Sequence, residues 1–501
     1  MRRTSPLLPL TAAVLLFTLA DCRPRDAGDE TASLDSASAA TARRDEQVPI
    51  TTRSEEARTL YLQGRQVSEQ LRAHDARKLF EQAAAKDSTF ALPHYNMAIN
   101  SASPKEFLEH LNEAVKLSGD ASEGERLMIL SLQAGSNGDS KRSLEYLEEL
   151  VEKYPRDPRA LTLLSVGYTN VQDFENAVGE AKKATEADPS YAAAYNLLGY
   201  TYMPQRKYPE AEAAFKKYIE LVPGDPNPYD SYAEMLMRTG RFDESIAQYR
   251  KALSVEPHFS NSYVGIASNL VYQGKHAAAA AELQKLSDAA RDDGDRRTAM
   301  LNRTVVFVDQ GATPQALREM EKLYAFDAKL GDTSAMSTDA QQMGDILADA
   351  GRADQAATRY RQSLSLVERS GLSVEIKDMS KLANHANLAR VALAKGDVVA
   401  AKTHAEAYRK GAEASEDVGR VRTAHELLGM IALQEKDYDG ATTHLAEADQ
   451  QDSYILTALA RAWQGKGDAG KAKDYATQAA DSYPLLVLRT AFARHKGGKT
   501  A

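Results

Sequence analysis

The stretch ADPSYAAAYNLLGYTYM, residues 187–203, decides the fold. Pro189 follows Asp188 and cannot extend a preceding helix, because it lacks the N–H that the ladder needs. Beyond it Tyr195, Leu198, Gly199 and Tyr202 recur every three or four residues, the spacing of one helical face. Pro155, Pro189, Pro223 and Pro257 are evenly spaced, the same interval recurring three times in succession. A long, constant period of this kind marks a repeat array rather than a single globular core.

The unit at 192–225 shows what each position does. Tyr195, Leu198, Gly199 and Tyr202 form a stripe on a first helix, Pro204 and Pro209 bracket a turn, Ala211 and Phe215 share a face of a second helix, and Pro223 ends it. Gly199 and Ala211 lack bulk, so two helices can approach closely there, with Tyr202 and Phe215 filling the space beside the contact. A second clock runs where the prolines fade. Gly138, Gly240, Gly274, Gly311, Gly351, Gly396 and Gly467 each precede by five residues a small residue: Ser143, Ser245, Ala279, Ala316, Ala356, Ala401 and Ala472. The glycines suit a left-handed helix end, and Asp139, Asp397 and Asp468 suit the cap of the next helix.

This pattern resembles the tetratricopeptide repeat (TPR), W-x₂-L-G-x₂-Y…A-x₃-F…P, with Tyr195 in place of the Trp. Units centred near Ala76, Ser143, Ala177, Ala211, Ser245, Ala279, Ala316, Ala356, Ala401, Ala441 and Ala472, and an irregular one with Pro104 at its turn, make about twelve helical hairpins between residues 54 and 490. The expected fold is an all-α solenoid of TPR hairpins, which the resemblance implies is a right-handed superhelix. From Ser143 to Ala279 the step is 34; beyond it the steps are 37, 40, 45, 40 and 31. The added residues are expected mostly between hairpins, as in SLSLVERSGLSVEIKDMSK, 363–381. This half resembles the longer-helix variant of kinesin light chains. The chain therefore divides into segments 54–290 and 291–490, of different curvature and meeting near DAARDDGDR, 288–296, with a disordered tail at 491–501.

The N-terminus reads as a targeting segment. Arg2 and Arg3 precede a mostly apolar run from Leu7 to Ala20, too short to span a bilayer comfortably, so residues 1–21 are read as a signal peptide. Cys22 is the only cysteine, which excludes an internal disulfide, a Cys-based metal site and, at this position, cysteine catalysis. LADC resembles the lipobox of bacterial lipoproteins, with Asp21 departing from its small-residue pattern. Two readings stand: lipidation of Cys22, or cleavage after Ala20 leaving a free thiol. Residues 22–53 carry the lipidation Cys and a polar, Ser/Ala/Thr-rich tether expected to be disordered.

Composition and motif searches narrow the function. Hydrophobic residues make up 43% and charged residues 27%, and the net charge is −9 without clustered Lys and Arg, so nucleic acid is not an expected partner. GKGDAGKA, 465–472, imitates G-x-G-x-x-G and G-x-x-x-x-G-K. The residues before it are helical in pattern, and Ala472 stands where a magnesium-binding hydroxyl belongs, so the stretch is read as a hairpin turn. HELLG at 425–429 has Gly429 where a zinc helix needs its second His, and the ten histidines show no ligand spacing. No catalytic residue, metal or cofactor is assigned.

In TPR proteins the first helices line the groove that holds extended peptides or partner helices. The resemblance places groove contacts at Asn196, Tyr200, Met203, Asn227, Asp230, Glu234, Met237 and Asn261, with Tyr272 one place further on. The Lys–Asn pair that holds acidic chaperone tails is missing, and Asp230 with Glu234 favours a neutral or basic ligand. The expected function is a non-enzymatic protein-interaction scaffold in the bacterial cell envelope, periplasmic or membrane-anchored through Cys22. The alternative is a ligand-responsive regulator or sensor.

Overall fold

The computed structural model describes residues 47–481 and 483–497; the leader, Cys22 and most of the tether lie outside them. Among the described residues are twelve helical hairpins and one further helix. The first three pair α1 (Glu55–Glu69) with α2 (Ala73–Lys86), α3 (Ala91–Ile99) with α4 (Pro104–Leu117), and α5 (Glu123–Ser136) with α6 (Ser140–Lys153). Next come α7 (Pro158–Asn170) with α8 (Phe174–Ala187), α9 (Ala192–Tyr202) with α10 (Tyr208–Leu221), and α11 (Pro226–Arg238) with α12 (Phe242–Val255). Then α13 (Ser260–Tyr272) pairs with α14 (His276–Ala289), α15 (Asp293–Asp309) with α16 (Thr313–Leu330), and α17 (Thr333–Asp349) with α18 (Ala353–Arg369). The last are α19 (Val374–Ala394) with α20 (Val398–Ala414), α21 (Val418–Glu435) with α22 (Tyr438–Ala446), and α23 (Ser453–Gly465) with α24 (Ala469–Ala480). A lone helix, α25 (Leu488–Gly497), follows. The fold is the expected all-α solenoid of helical hairpins, built as two compact units: Glu106–Tyr232 with the described residues up to Ala102, and Ser103–Lys105 with the residues from Ala233 onward.

The spacing read in the sequence is the spacing of the packing. Ala76, Ala177, Ala211, Ser245, Ala279, Ala316, Ala356, Ala401 and Ala441 are fully buried at the hairpin contacts. Opposite them, glycine makes room for a ring. A Cβ on Gly199 would fall 2.4 Å from the Phe215 ring, and one on Gly265 would fall 2.1 Å from Tyr249. Each buried ring removes some 150–250 Å² from water, so aromatic burial more than offsets the missing methyl of the glycine. Where the small residue is Ser245, its hydroxyl donates to the Ala233 carbonyl at 2.7 Å, so the polar group costs little.

All seven glycines of the second clock have φ between +74° and +81°. Leu71, Arg206 and Lys436, without glycine, hold the same left-handed turn at +54°, +56° and +61°, five residues before Ala76, Ala211 and Ala441. The tertiary contact therefore imposes the turn, and glycine only lowers its strain. Asp139, Asp397 and Asp468 accept from the backbone N–H groups of Arg142, Ala400 and Lys471, as their positions imply.

Three expectations need correction. The extra residues beyond Ala279 lengthen helices instead of filling loops: every helix from α15 to α21 is longer than any from α10 to α14, by roughly one to two turns. A turn added inside both helices of a pair keeps them in register; the same residues in a loop would only cost closure entropy. The expected tether does not run to residue 53. Val48 is buried, its N–H donates to Asp157 Oδ2 at 2.8 Å, and its carbonyl accepts from Arg159 Nη2 at 3.1 Å. Nor is 491–497 a loose tail, because α25 buries Ala491, Phe492 and Ala493.

Relieving the left-handed strain is expected to stabilise the fold. Arg206→Gly and Lys436→Gly, both at exposed turns, should each gain a few tenths to about 1 kcal/mol in denaturant unfolding. Gly265→Ala should cost about 1–3 kcal/mol, because the Tyr249 ring occupies the space. Equal midpoints for Gly265→Ala and the parent would refute the close-approach argument.

Candidate functional site

The residues singled out in the sequence fall into three groups. Met203 and Met237 are core residues, with Met237 wholly buried. Asn227 is buried and donates from Nδ2 to the Tyr218 hydroxyl at 2.9 Å, while Glu234 is buried in an ion pair with Arg238 at 2.8 Å. Asp230 is also buried. Asn196 is buried, yet its Oδ1 accepts no hydrogen bond, and Tyr200 stands half-buried, edge-on to Phe215 with ring centroids 5.3 Å apart. Asn261 is exposed. The acidity expected of Glu234 is balanced by its arginine.

Tyr272 leads to a feature that repeat spacing does not show. Its hydroxyl donates to the Pro484 carbonyl, and its ring meets Tyr483 at 5.2 Å between centroids. Tyr483 also stands edge-on to Phe242 at 5.1 Å. The Leu486 N–H donates to Ser268 Oγ at 3.2 Å. Leu486, Ala491 and Phe492 are buried in one cluster with Val271, Leu283, Val305, Met343 and Ile346, which come from α13, α14, α15 and α17. The second unit thus holds a stretch of its own chain, irregular over 483–487 with a bend at Leu485 and helical from Leu488.

Charge fixes the register of that stretch. Arg489 Nε donates to Asp452 Oδ2 at 2.6 Å, and its terminal nitrogens donate to the two Glu426 oxygens at 3.2 and 3.1 Å. Arg390 approaches the same Glu426 at 3.0 Å. Burial works against the Glu426 carboxylate, but Arg489 and Arg390 outweigh it and hold its pKa below the usual range. Further along, Arg494 Nε donates to Asp309 Oδ2 at 2.8 Å. Ser268, Tyr272 and Asp309 lie on α13 and α15, whereas Glu426 lies on α21 and Asp452 caps α23. One short segment reaches helices five hairpins apart only if the row curves around it, so within this unit these first-helix faces form the inner wall. The apolar run LLVL, 485–488, with Phe492 was the available signal: a loose end has no use for it.

GKGDAGKA forms the turn of the last hairpin. Gly467 has φ +81°, Asp468 caps α24, and the Lys471 ammonium lies 3.8 Å from the Trp463 ring centroid. Histidines that look scattered in the sequence are brought together in pairs. His385 and His404 approach Nδ1 to Nδ1 at 3.2 Å, and His425 and His444 do the same at 3.2 Å, one repeat further along. No group of three or more His, Cys, Asp or Glu among the described residues is placed to hold a metal, and no described helix is long and apolar enough to cross a membrane.

Hairpins with a small-residue clock and an inner wall of first helices define a helical-repeat interaction protein. Family models of the tetratricopeptide repeat match residues 169–226 and 227–259. Residues 169–259 are therefore tetratricopeptide repeats, and this repeat serves in general as a scaffold for contacts between proteins. Among curated proteins no sequence matches it. Solved structures similar to it include MamA from Desulfovibrio magneticus RS-1, at 18% identity, covering 34% of this chain and 96% of that one, with a TM-score of 0.28. A tetratricopeptide repeat protein from Parabacteroides merdae is 15% identical over 57% of this chain and 99% of its own, with a TM-score of 0.34. The APC/C Cut9–Hcn1 tetramer matches at 14% identity over 89% of this chain and 81% of its own, with a TM-score of 0.38. Likenesses this distant identify no partner.

The histidine pairs give a pH dependence. Burial first, then the neighbouring imidazole, pushes the His404 and His444 pKa values below the ordinary histidine value. The unfolded chain then binds more protons near pH 6.5, so stability is full above that pH and falls as acid is added. Thermal unfolding is expected at a lower midpoint at about pH 5 than at about pH 7, and His404→Asn with His444→Asn should flatten the difference. An unchanged slope in the double variant would refute the assignment.

Proposed function

We propose that this chain is an exported scaffold, held on a bacterial envelope membrane through lipidated Cys22, that grips peptide segments or partner helices on the inner faces of its first helices. One observation carries the reading. The inner wall of the second unit already takes a length of polypeptide by its backbone and its side chains: Ser268 and Tyr272 meet main-chain groups, and Glu426, Asp452 and Asp309 meet arginines. These are contacts of the kind by which grooves read peptides. In the first unit, Tyr200 on α9 presents a half-exposed ring, and Asn196 on the same helix holds a buried amide oxygen without a hydrogen bond. The polar, Ser/Ala/Thr-rich composition between Cys22 and Val48 supports this reading, since an unfolded chain of that length would span about 30 Å.

A photo-crosslinking residue placed at Tyr200 or at exposed Asn261 in intact cells is expected to capture one defined protein. Wild-type chain should fractionate with membranes and carry a diacylglyceryl mass on Cys22, and Cys22→Ser should not. A wild-type chain in the soluble fraction would remove the anchor from the proposal, and crosslinking that yields no species would remove the groove.

A further inference from the structure

We infer that residues 483–495 are a stand-in ligand, and that the partner of the second unit is a protein segment of the same chemistry. That chemistry is an aromatic ring and leucines on a non-helical stretch, running into a helix with two arginines five residues apart about a phenylalanine. The inference rests on the groove reading above and adds the occupant that blocks the groove and the kind of chain that replaces it.

The first ground is what α25 leaves undone. A helix that closes a repeat array covers the open flank of the last hairpin. Here α24, the second helix of that hairpin, has no buried residue. The chain instead turns inward and buries Leu486, Ala491 and Phe492 against α13 to α17, several hairpins back along the row. The second ground is the manner of holding. Tyr483, Pro484 and Leu486 are met by a ring, a hydroxyl and a hydroxyl oxygen, the last two of which read only backbone, so another sequence can take that place. The third ground is charge. Asp309, Glu426 and Asp452 come from different hairpins and converge on Arg489 and Arg494, with the Arg494 guanidinium 4.7 Å from the Tyr272 ring centroid. Such a wall selects a basic helix and repels an acidic one.

The test uses full-length chain and a fluorescent synthetic peptide of residues 482–496, SYPLLVLRTAFARHK, followed by anisotropy. Wild-type chain is expected to bind it poorly, because its own segment is in place. Chain carrying Arg489→Ala and Arg494→Ala should bind it at least about ten-fold more tightly, since each lost charge-assisted contact weakens the internal competitor. Peptide with both arginines replaced by alanine should bind neither. Equal binding by both chains, or binding of the alanine peptide as strong as the parent, would overturn the inference. Hydrogen exchange on wild-type chain guards against a variant that misfolds. Excess peptide should expose the amides of 488–494 while those of α13 and α21 stay protected, and unchanged protection at 488–494 counts against the inference. A variant that dimerises by light scattering overturns it in favour of exchange between two copies. Loss of peptide binding while crosslinks from Tyr200 persist sinks this inference alone; loss of those crosslinks sinks the reading beneath it.

Discussion

Two helices lie as close as their side chains permit, and that limit organises this molecule. At nine of the hairpins a residue no larger than alanine or serine is fully buried against the partner helix, and at Gly199 and Gly265 even a methyl would enter a ring. Close approach fixes the turn between the helices, and the turn imposes a left-handed residue even where Leu71, Arg206 or Lys436 must adopt it. Dispersion and apolar burial on the contact side outweigh that backbone strain. The row follows from repeating one contact, since each pair presents to the next the face it received from the last.

How much was legible in the sequence divides along the same physical line. Short-range order is readable, because a small residue five positions after a turn, or a proline returning at a fixed interval, leaves a periodic trace. The hairpins, the Asp caps and the turn at 465–472 all follow from it. What repeats cannot show is a contact made once between distant residues. Val48 meets Asp157 across 109 positions, and Leu486 meets Ser268 across 218. Neither leaves a period, so from the sequence alone the N-terminal lead looks like tether and the C-terminal segment like a tail. Groove residues are legible only as helix positions. Met237 and Asn227 have the right spacing but lie in the core or pair with Tyr218, because burial depends on the neighbouring hairpin.

Electrostatics does a different job in each unit. In the first, Asp157 and Arg159 bind the lead to the body: burial opposes the Asp157 carboxylate, and Arg159 more than offsets it, keeping its pKa low. In the second, Glu426 is shared between Arg390, which belongs to the wall, and Arg489, which belongs to the enclosed segment. A buried carboxylate with two cationic partners keeps one when the other departs. That is milder than stranding a lone charge, whose exposure to a dry interior costs about 3–5 kcal/mol.

The bond between Leu486 and Ser268 also changes how the array comes apart. An open row of repeats melts piecemeal, since each hairpin answers only to its neighbours and the ends go first. Tying the terminus back to α13 and α15 turns that part of the row into a closed circuit, in which no hairpin from α13 to α24 is an end. While the tie holds, fraying of the bare α24 has nowhere to spread, and the stretch unfolds as one cooperative block; once it is undone, the same hairpins regain separate melting behaviour.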